Sequence, residues 1–184
     1  MLQIVIQGRG GQGAQTAGNL LAMAYFAEGR QVQAFASYGG ARRGTPVSSF
    51  IRVDDQPIRL RCDIEQADAI LCFDASLLQP PLLSRGAPDA VIVVNSSRSV
   101  ADFRETLPNH RVIPVDGLAI SRRQGLGRIV NSALLGGLAR AVGDPPLPAL
   151  EKLLLKSSPK LQAENVAACI DGYHAVDEQL KEAA

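Results

Sequence analysis

A short apolar run, LQIVI, passes directly into QGRGGQG and then into AQTAGNLLAMAYFA, and no other stretch limits the fold as tightly. Gly8, Gly10, Gly11 and Gly13 let the backbone turn sharply and approach a neighbour closely. Gly8, Gly10 and Gly13 satisfy G-x-G-x-x-G, with a buried strand at Leu2–Ile6 before them and a helix from Ala14 to about Glu28 after them. In that helix Ala17, Leu20, Leu21, Ala24 and Ala27 recur at helical spacing, and Gly29 closes it. Strand, glycine loop and helix start together call for an α/β plan. They also set free N–H groups at one edge, where an anion is favoured.

The rest of the chain continues that plan. Gln31–Ala36 and Val47–Val53 read as strands separated by the turn-rich SYGGARRGTP. In the second, Val47, Ser49, Ile51 and Val53 share one face, opposite Ser48, Phe50 and Arg52. Ala69–Phe73, Val91–Val94 and the shorter Val112–Val115 are continuous apolar runs, as in strands covered on both faces. From Arg128 onward the chain turns helical, over Arg128–Val142, Leu147–Leu155 and Gln162–Leu180. The expectation is one α/β domain over residues 1–184, in three layers. Its sheet is mostly parallel with helices on both faces, and its C-terminal region is helical. SYGGARRGTP is too short for a helical crossover, so one strand runs antiparallel.

Composition narrows the function. A net charge of +1 over 184 residues sets up no broad field for nucleic acid or anionic lipid. Three Tyr, five Phe and no Trp argue against base-stacking surfaces. No apolar stretch is long enough to span a bilayer, and LQIVIQ lacks the basic lead and length of a signal peptide. Cys62, Cys72 and Cys169 are widely spaced with no C-x-x-C, so no zinc or iron–sulfur site is assembled from this chain alone. Cys72, inside AILCF, reads as a small buried hydrophobe. The pattern fits the reducing cytoplasm.

A dinucleotide site would need an acidic residue ending the second strand, but QVQAFAS ends in Ser37, Tyr38 and Gly39. The glycines serve either a phosphate or close strand–helix packing, and spacing alone leaves both open. The candidate site therefore comprises Gly8, Arg9, Gly10, Gly11, Gln12 and Gly13 together with Ser37, Tyr38, Gly39, Arg42, Arg43 and Gly44. Both segments follow parallel strands and fall on one sheet edge. There Arg9, Arg42 and Arg43 would cradle a phosphate-bearing ligand or bridge to a partner chain.

Asp74 in FDAS reads as a helix N-cap, Asn95-Ser96-Ser97 as a strand-end turn, and Asn131 as a residue bonding a loop or partner. His110 reads as loop surface and His174 as a lone histidine on the last helix. Neither shows a nucleophile or carboxylate partner, so no catalytic residue is assigned.

QGRGGQGAQTAGNLLAMA followed by FASYGGARRGTPVSSFIRV resembles the gamma subunit of the 2-oxoacid:ferredoxin oxidoreductases. ADAILCFD, VIVVNS, IVNSALLGGL and AENVAACIDGY extend the resemblance over nearly the whole chain, and ARRGTPVSSFIR looks most like the pyruvate type. Ala41 stands where many relatives carry Glu.

The resemblance implies a Rossmann-like domain within an enzyme that converts a 2-oxoacid and coenzyme A to acyl-coenzyme A and CO2, reducing ferredoxin. Thiamine diphosphate, Mg2+ and the iron–sulfur clusters would be held by companion alpha, beta and cluster-bearing delta-type subunits or domains. This chain would contribute contacts near coenzyme A, reach ferredoxin only through the complex, and be free to self-associate when isolated. No nucleic acid or membrane partner is implied. The rivals are a stand-alone nicotinamide- or flavin-dependent enzyme and a purely architectural assembly module.

Overall fold

The computed structural model describes residues 1–39 and 44–182. Its frame is a sheet of β1 (Leu2–Arg9), β2 (Gln31–Tyr38), β3 (Pro46–Asp54), β4 (Ala67–Cys72), β5 (Gly86–Asn95) and β6 (Arg111–Val115), in the order β2-β3-β1-β4-β5-β6. β1, β4, β5 and β6 pair in parallel, and β3 is antiparallel to both β1 and β2. The short link after β2 thus returns the chain as the one antiparallel strand, and Gly39 N–H donates to the Pro46 carbonyl across it at 3.0 Å.

The helices are α1 (Ala14–Ala27), α2 (Pro80–Leu83), α3 (Val100–Thr106), α4 (Gly117–Arg123), α5 (Asn131–Val142), α6 (Leu147–Ser157) and α7 (Gln162–Glu182). Alternation along the strands separates two apolar faces. Ile6, Ile51, Leu71 and Val93 meet Leu21 of α1, Leu134 of α5 and Val176 of α7 on one face. Val5, Phe50, Ile70 and Ile92 meet Leu82 of α2 and Phe103 of α3 on the other. That double covering explains the unbroken apolar runs of β4 and β5. α6 adds a small outer cluster, with Leu150 and Leu154 on Ala24, Ala139 and Cys169. No helix among the described residues is long and apolar enough to cross a membrane.

Small residues set the helix positions. A Cβ on Gly136 would lie 1.9 Å from the Cys169 carbonyl oxygen, and one on Gly172 would lie 1.9 Å from that of Ala133. α5 and α7 therefore touch backbone to backbone. A Cβ on Gly18 would lie 2.1 Å from Ser49 Oγ, so α1 rests directly on β3.

Over β2 and β3 the second face is covered in part by the return chain ahead of β4, pinned by a buried arginine. Arg52, 1% exposed, donates to Gln3 Oε1 at 3.0 Å, Gln33 Oε1 at 2.9 Å and the Asp63 carbonyl at 3.1 Å. No carboxylate pairs with it among the described residues. Neutral oxygens carry the charge, and alternation along β3 alone gives no hint that this position is buried.

α5 begins at Asn131, three residues later than the sequence periodicity suggests. Gly125 (φ 76°) and Gly127 (φ 63°) turn the chain in the left-handed region just before it, which breaks the helix there and leaves Arg128 on a loop.

Gly18→Ala is expected to cost about 1–3 kcal/mol of stability, because the Ser49 hydroxyl can rotate away but its Cβ must shift. Gly136→Ala should cost more, since a backbone carbonyl stands in the way. Urea midpoints of the two variants check the order.

Candidate functional site

A cleft of about 1080 Å³ opens at the carboxyl ends of β1, β4 and β5. β1 and β4 are neighbours whose following connections run to opposite sides of the sheet, so the cleft lies at a topological switch point, the usual ligand crevice of such sheets. Gly10–Gly13 and Thr16 form one wall, Phe73 and Asn95 belong to the floor, and Arg122, Arg128 and Asn131 line the other side.

Glycine is required in the first wall. Gly11 (φ 93°) and Gly13 (φ 94°) are left-handed, and a Cβ on Gly13 would sit 2.6 Å from Asn131 Nδ2. Instead Asn131 Nδ2 donates to the Gly13 carbonyl at 3.0 Å. Gly10 N–H is spent on the Thr45 carbonyl at 2.9 Å, and Gln12 N–H on that of Arg9 at 2.9 Å. Among the described residues the N–H groups of Gly11, Gly13, Ala14, Gln15 and Thr16 carry no hydrogen bond. α1 has no side-chain cap and no acidic residue in its first turn. Its positive end is therefore unneutralised beside the cleft.

Arg9 has a different task. Its Nε donates to Asp74 Oδ2 at 2.8 Å, Nη2 to Ser76 Oγ at 2.8 Å and Nη1 to the Gly44 carbonyl at 3.2 Å, and it does not line the cleft. Asp74 caps the 3-10 turn at Ala75–Leu77, accepting from Ser76 N at 3.0 Å, as its sequence context suggests. Burial alone would raise the Asp74 carboxyl, but hydrogen bonds from Ser76 and Arg9 and the Arg9 charge hold it below the usual carboxylate range. This staple joins the glycine loop to the end of β4.

The other expected residues divide by place. Gly10, Gly11, Gln12 and Gly13 line the cleft. Gly8 lies beneath the loop, where an added Cβ would meet those of Ala14 and Phe73 at 3.1 Å. Ser37, Tyr38, Gly39 and Gly44 share the sheet edge but stand outside the lining. Arg42 and Arg43 fall outside the described residues. Asn95 is committed to the frame, donating to the Phe73 carbonyl at 3.2 Å and accepting from Gly117 N at 3.1 Å. His110 proves half-buried, not surface, with Nδ1 lacking a partner.

Arg122 and Arg128 are the residues that sequence reasoning missed. Both are exposed, both line the cleft, and neither guanidinium has a hydrogen bond or ion pair among the described residues. For Arg128 the available signal was the Gly125-Leu126-Gly127 punctuation just ahead of the expected helix, which here continues as a loop up to Asn131.

Among the described residues the cleft lining holds no carboxylate, histidine or cysteine, so these groups can bind and orient but not exchange protons near neutrality. Among the described residues no three His, Cys, Asp or Glu side chains gather as a metal site. Burial pushes the Cys72 and Cys169 thiols up to about 12, and Cys62 is exposed apart from them, so these cysteines do not fit an iron–sulfur cluster. A dinucleotide does not fit well either. β3 separates β2 from β1, which moves the ribose-binding position about 10 Å from the glycine loop.

Fold and cleft thus define an α/β domain of Rossmann-like type whose cleft is walled by a helix start and two arginines and, among the described residues, lacks reactive groups. Residues 3–175 match the family model described as pyruvate ferredoxin/flavodoxin oxidoreductase. The chain belongs to that family, and within it to the gamma-type subunits of 2-oxoacid:ferredoxin oxidoreductases. It is 36% identical over 178 residues to the pyruvate/ketoisovalerate oxidoreductases common subunit gamma of Thermococcus kodakarensis, covering 95% of this chain and 96% of the relative. The crystal structure of pyruvate oxidoreductase subunit PORC from Thermotoga maritima superposes with a TM-score of 0.83 at 32% identity, over 94% and 95% of the two chains. The 2-oxoglutarate:ferredoxin oxidoreductase of Magnetococcus marinus, solved with 2-oxoglutarate, coenzyme A and succinyl-CoA, shares the fold (TM-score 0.76, 19% identity) over 96% of this chain and 31% of its own.

Asp74→Asn should lower stability by about 1–3 kcal/mol near neutrality, because a charge-assisted hydrogen-bond network is lost. The Asp74 carboxyl is depressed in the folded state. Its contribution is therefore present above the unfolded value of about 3.9 and lost as pH falls through the lower folded value. The gap between wild-type and variant denaturation midpoints should begin to close below about pH 4 and vanish once the pH lies below the depressed folded value. A gap that persists there would contradict the assignment.

Proposed function

We propose that this chain completes the coenzyme A side of a thiamine-dependent 2-oxoacid:ferredoxin oxidoreductase, its cleft holding the phosphate-bearing end of coenzyme A. The observation that carries this is the pairing, across one cleft, of an unneutralised helix start with two unpaired arginines. Phosphate oxygens would take the free N–H groups of Gly11, Gly13 and Ala14 and charge-assisted bonds from Arg122 and Arg128. Asn131 and the Arg9–Asp74 staple hold those donors in place, so little ordering is left to the moment of binding.

Holding the phosphates orients the coenzyme A thiol toward a reaction carried out elsewhere. The 2-oxoacid loses CO2, its acyl group passes to coenzyme A, and the two electrons released pass to ferredoxin. Thiamine diphosphate with Mg2+ supplies the carbanion chemistry, and iron–sulfur clusters the electron path, both on companion alpha, beta and delta-type subunits. The substrate favoured is pyruvate. The Thermococcus relative is named for pyruvate and ketoisovalerate together. One gamma chain common to two enzymes accords with substrate choice lying outside it. The assembled enzyme works in the cytoplasm.

In the reconstituted enzyme, Arg122→Ala and Arg128→Ala should each raise KM for coenzyme A about 10-fold or more, as loss of a charged hydrogen bond predicts, with kcat nearly unchanged. The increase should shrink at high salt, where wild-type binding is already screened. Unchanged KM in both variants, or a collapse of kcat alone, would refute the assignment.

A further inference from the structure

α1 and β2 carry no Asp, Glu, Lys, Arg or His in a chain that is 20% charged, although both reach the surface. Other surface helices are ordinary by comparison: α6 shows Glu151, Lys152 and Lys156, and α7 shows Glu164, Asp177 and Lys181. On α1, Gln15, Asn19, Ala22 and Phe26 fall along one face. The Tyr38 hydroxyl donates to Gln15 Oε1, which sets that face beside β2. Phe26 is 72% exposed, the neighbouring Met23 48% and Tyr38 56%. Exposed aromatic and methionine side chains without charge are the composition of an interface core.

The two sheet edges differ in the same sense. β6 is blunted by Arg111, by Pro114, which has no N–H, and by Gln179 Nε2 donating to the Pro114 carbonyl at 2.9 Å. β2 has none of these guards. Among the described residues its outer edge makes no backbone hydrogen bond, and eight residues at about 3.4 Å each leave about 27 Å of free edge. Alternate N–H and C=O groups along it need a partner once covered.

We propose that the α1–β2 edge is the surface on which a companion chain of the same enzyme docks, with an uncharged surface on Phe26 and Met23 and an extended segment along β2. The occupant follows from continuity with the cleft. The Gln15–Tyr38 end of the patch adjoins the glycine loop, whose cleft has no reactive group. A second copy would bring the same inert set, whereas a companion chain brings the missing chemistry to that edge. The inference rests on the chain being a subunit of such an enzyme. Its test contains no coenzyme A, so its failure and that of the coenzyme A assignment are separable.

The test is co-expression with the companion chains, reading co-purified stoichiometry, for Met23→Lys/Phe26→Lys and for Leu155→Lys, an exposed apolar control on α6. The double variant should lose assembly at least tenfold while the isolated chain keeps its denaturation midpoint, and the control should assemble as wild type. In the unaltered complex, β2 amides should exchange at least tenfold more slowly than in the isolated chain. Full assembly of the double variant, equal loss in the control, or unprotected β2 amides would overturn the proposal. So would a dimer of the isolated wild-type chain that the double variant converts to monomer, since a second copy would then occupy the patch.

Discussion

The bond from Asn131 to the Gly13 carbonyl joins residues 118 positions apart, and the cleft depends on it. Asn131 is 8% exposed and stands at the first turn of α5, where its amide reaches the loop that starts α1. Only a glycine at position 13 leaves room for it. The contact fixes two helix starts against each other, and so fixes where the Arg128 loop stands relative to the glycine loop. Lost, it would leave the Gly13 carbonyl with the Ala17 N–H alone, at 2.9 Å, and two cleft walls free to separate.

Around that bond the molecule divides binding from chemistry. Among the described residues no carboxylate, histidine or cysteine lines the cleft, and those near it are tied elsewhere. The Asp74 carboxylate is engaged by Arg9 and Ser76, and the buried thiols are held protonated. What remains is fixed partial charge from α1 and full charge from Arg122 and Arg128. Such groups recognise a phosphate at low reorganisation cost and do nothing to a bond. On the proposed reading, in which companion chains would carry thiamine and clusters, that contribution is the one left to this chain.

Much of the fold was legible in the sequence, because apolar runs of four or five residues in an α/β chain have few other uses. The antiparallel β3 followed from a link too short to cross over. Its insertion between β2 and β1 did not, since pairing partners are chosen by faces that meet only after folding. The glycine loop was legible as a tight turn between strand and helix, but which glycines take left-handed backbone was not: Gly11 and Gly13 do, and of these only Gly13 belongs to the spaced motif. The cationic partners were not. Arg9 sits inside the motif yet serves Asp74, while Arg122 and Arg128 lie more than a hundred residues away and reach the cleft from the last turn of α4 and from the loop that Gly125 and Gly127 bend. Arg52 shows the same limit: its burial depends on three neutral oxygens brought together by β1, β2 and the return chain.

The most direct test of the account is amide hydrogen exchange on the assembled enzyme with and without coenzyme A. The account predicts slowed exchange at Gly11–Thr16 and around Arg128–Asn131 on binding, with the rest of this chain unchanged. Protection confined to other segments, or none anywhere in the chain, would contradict the placing of coenzyme A in this cleft.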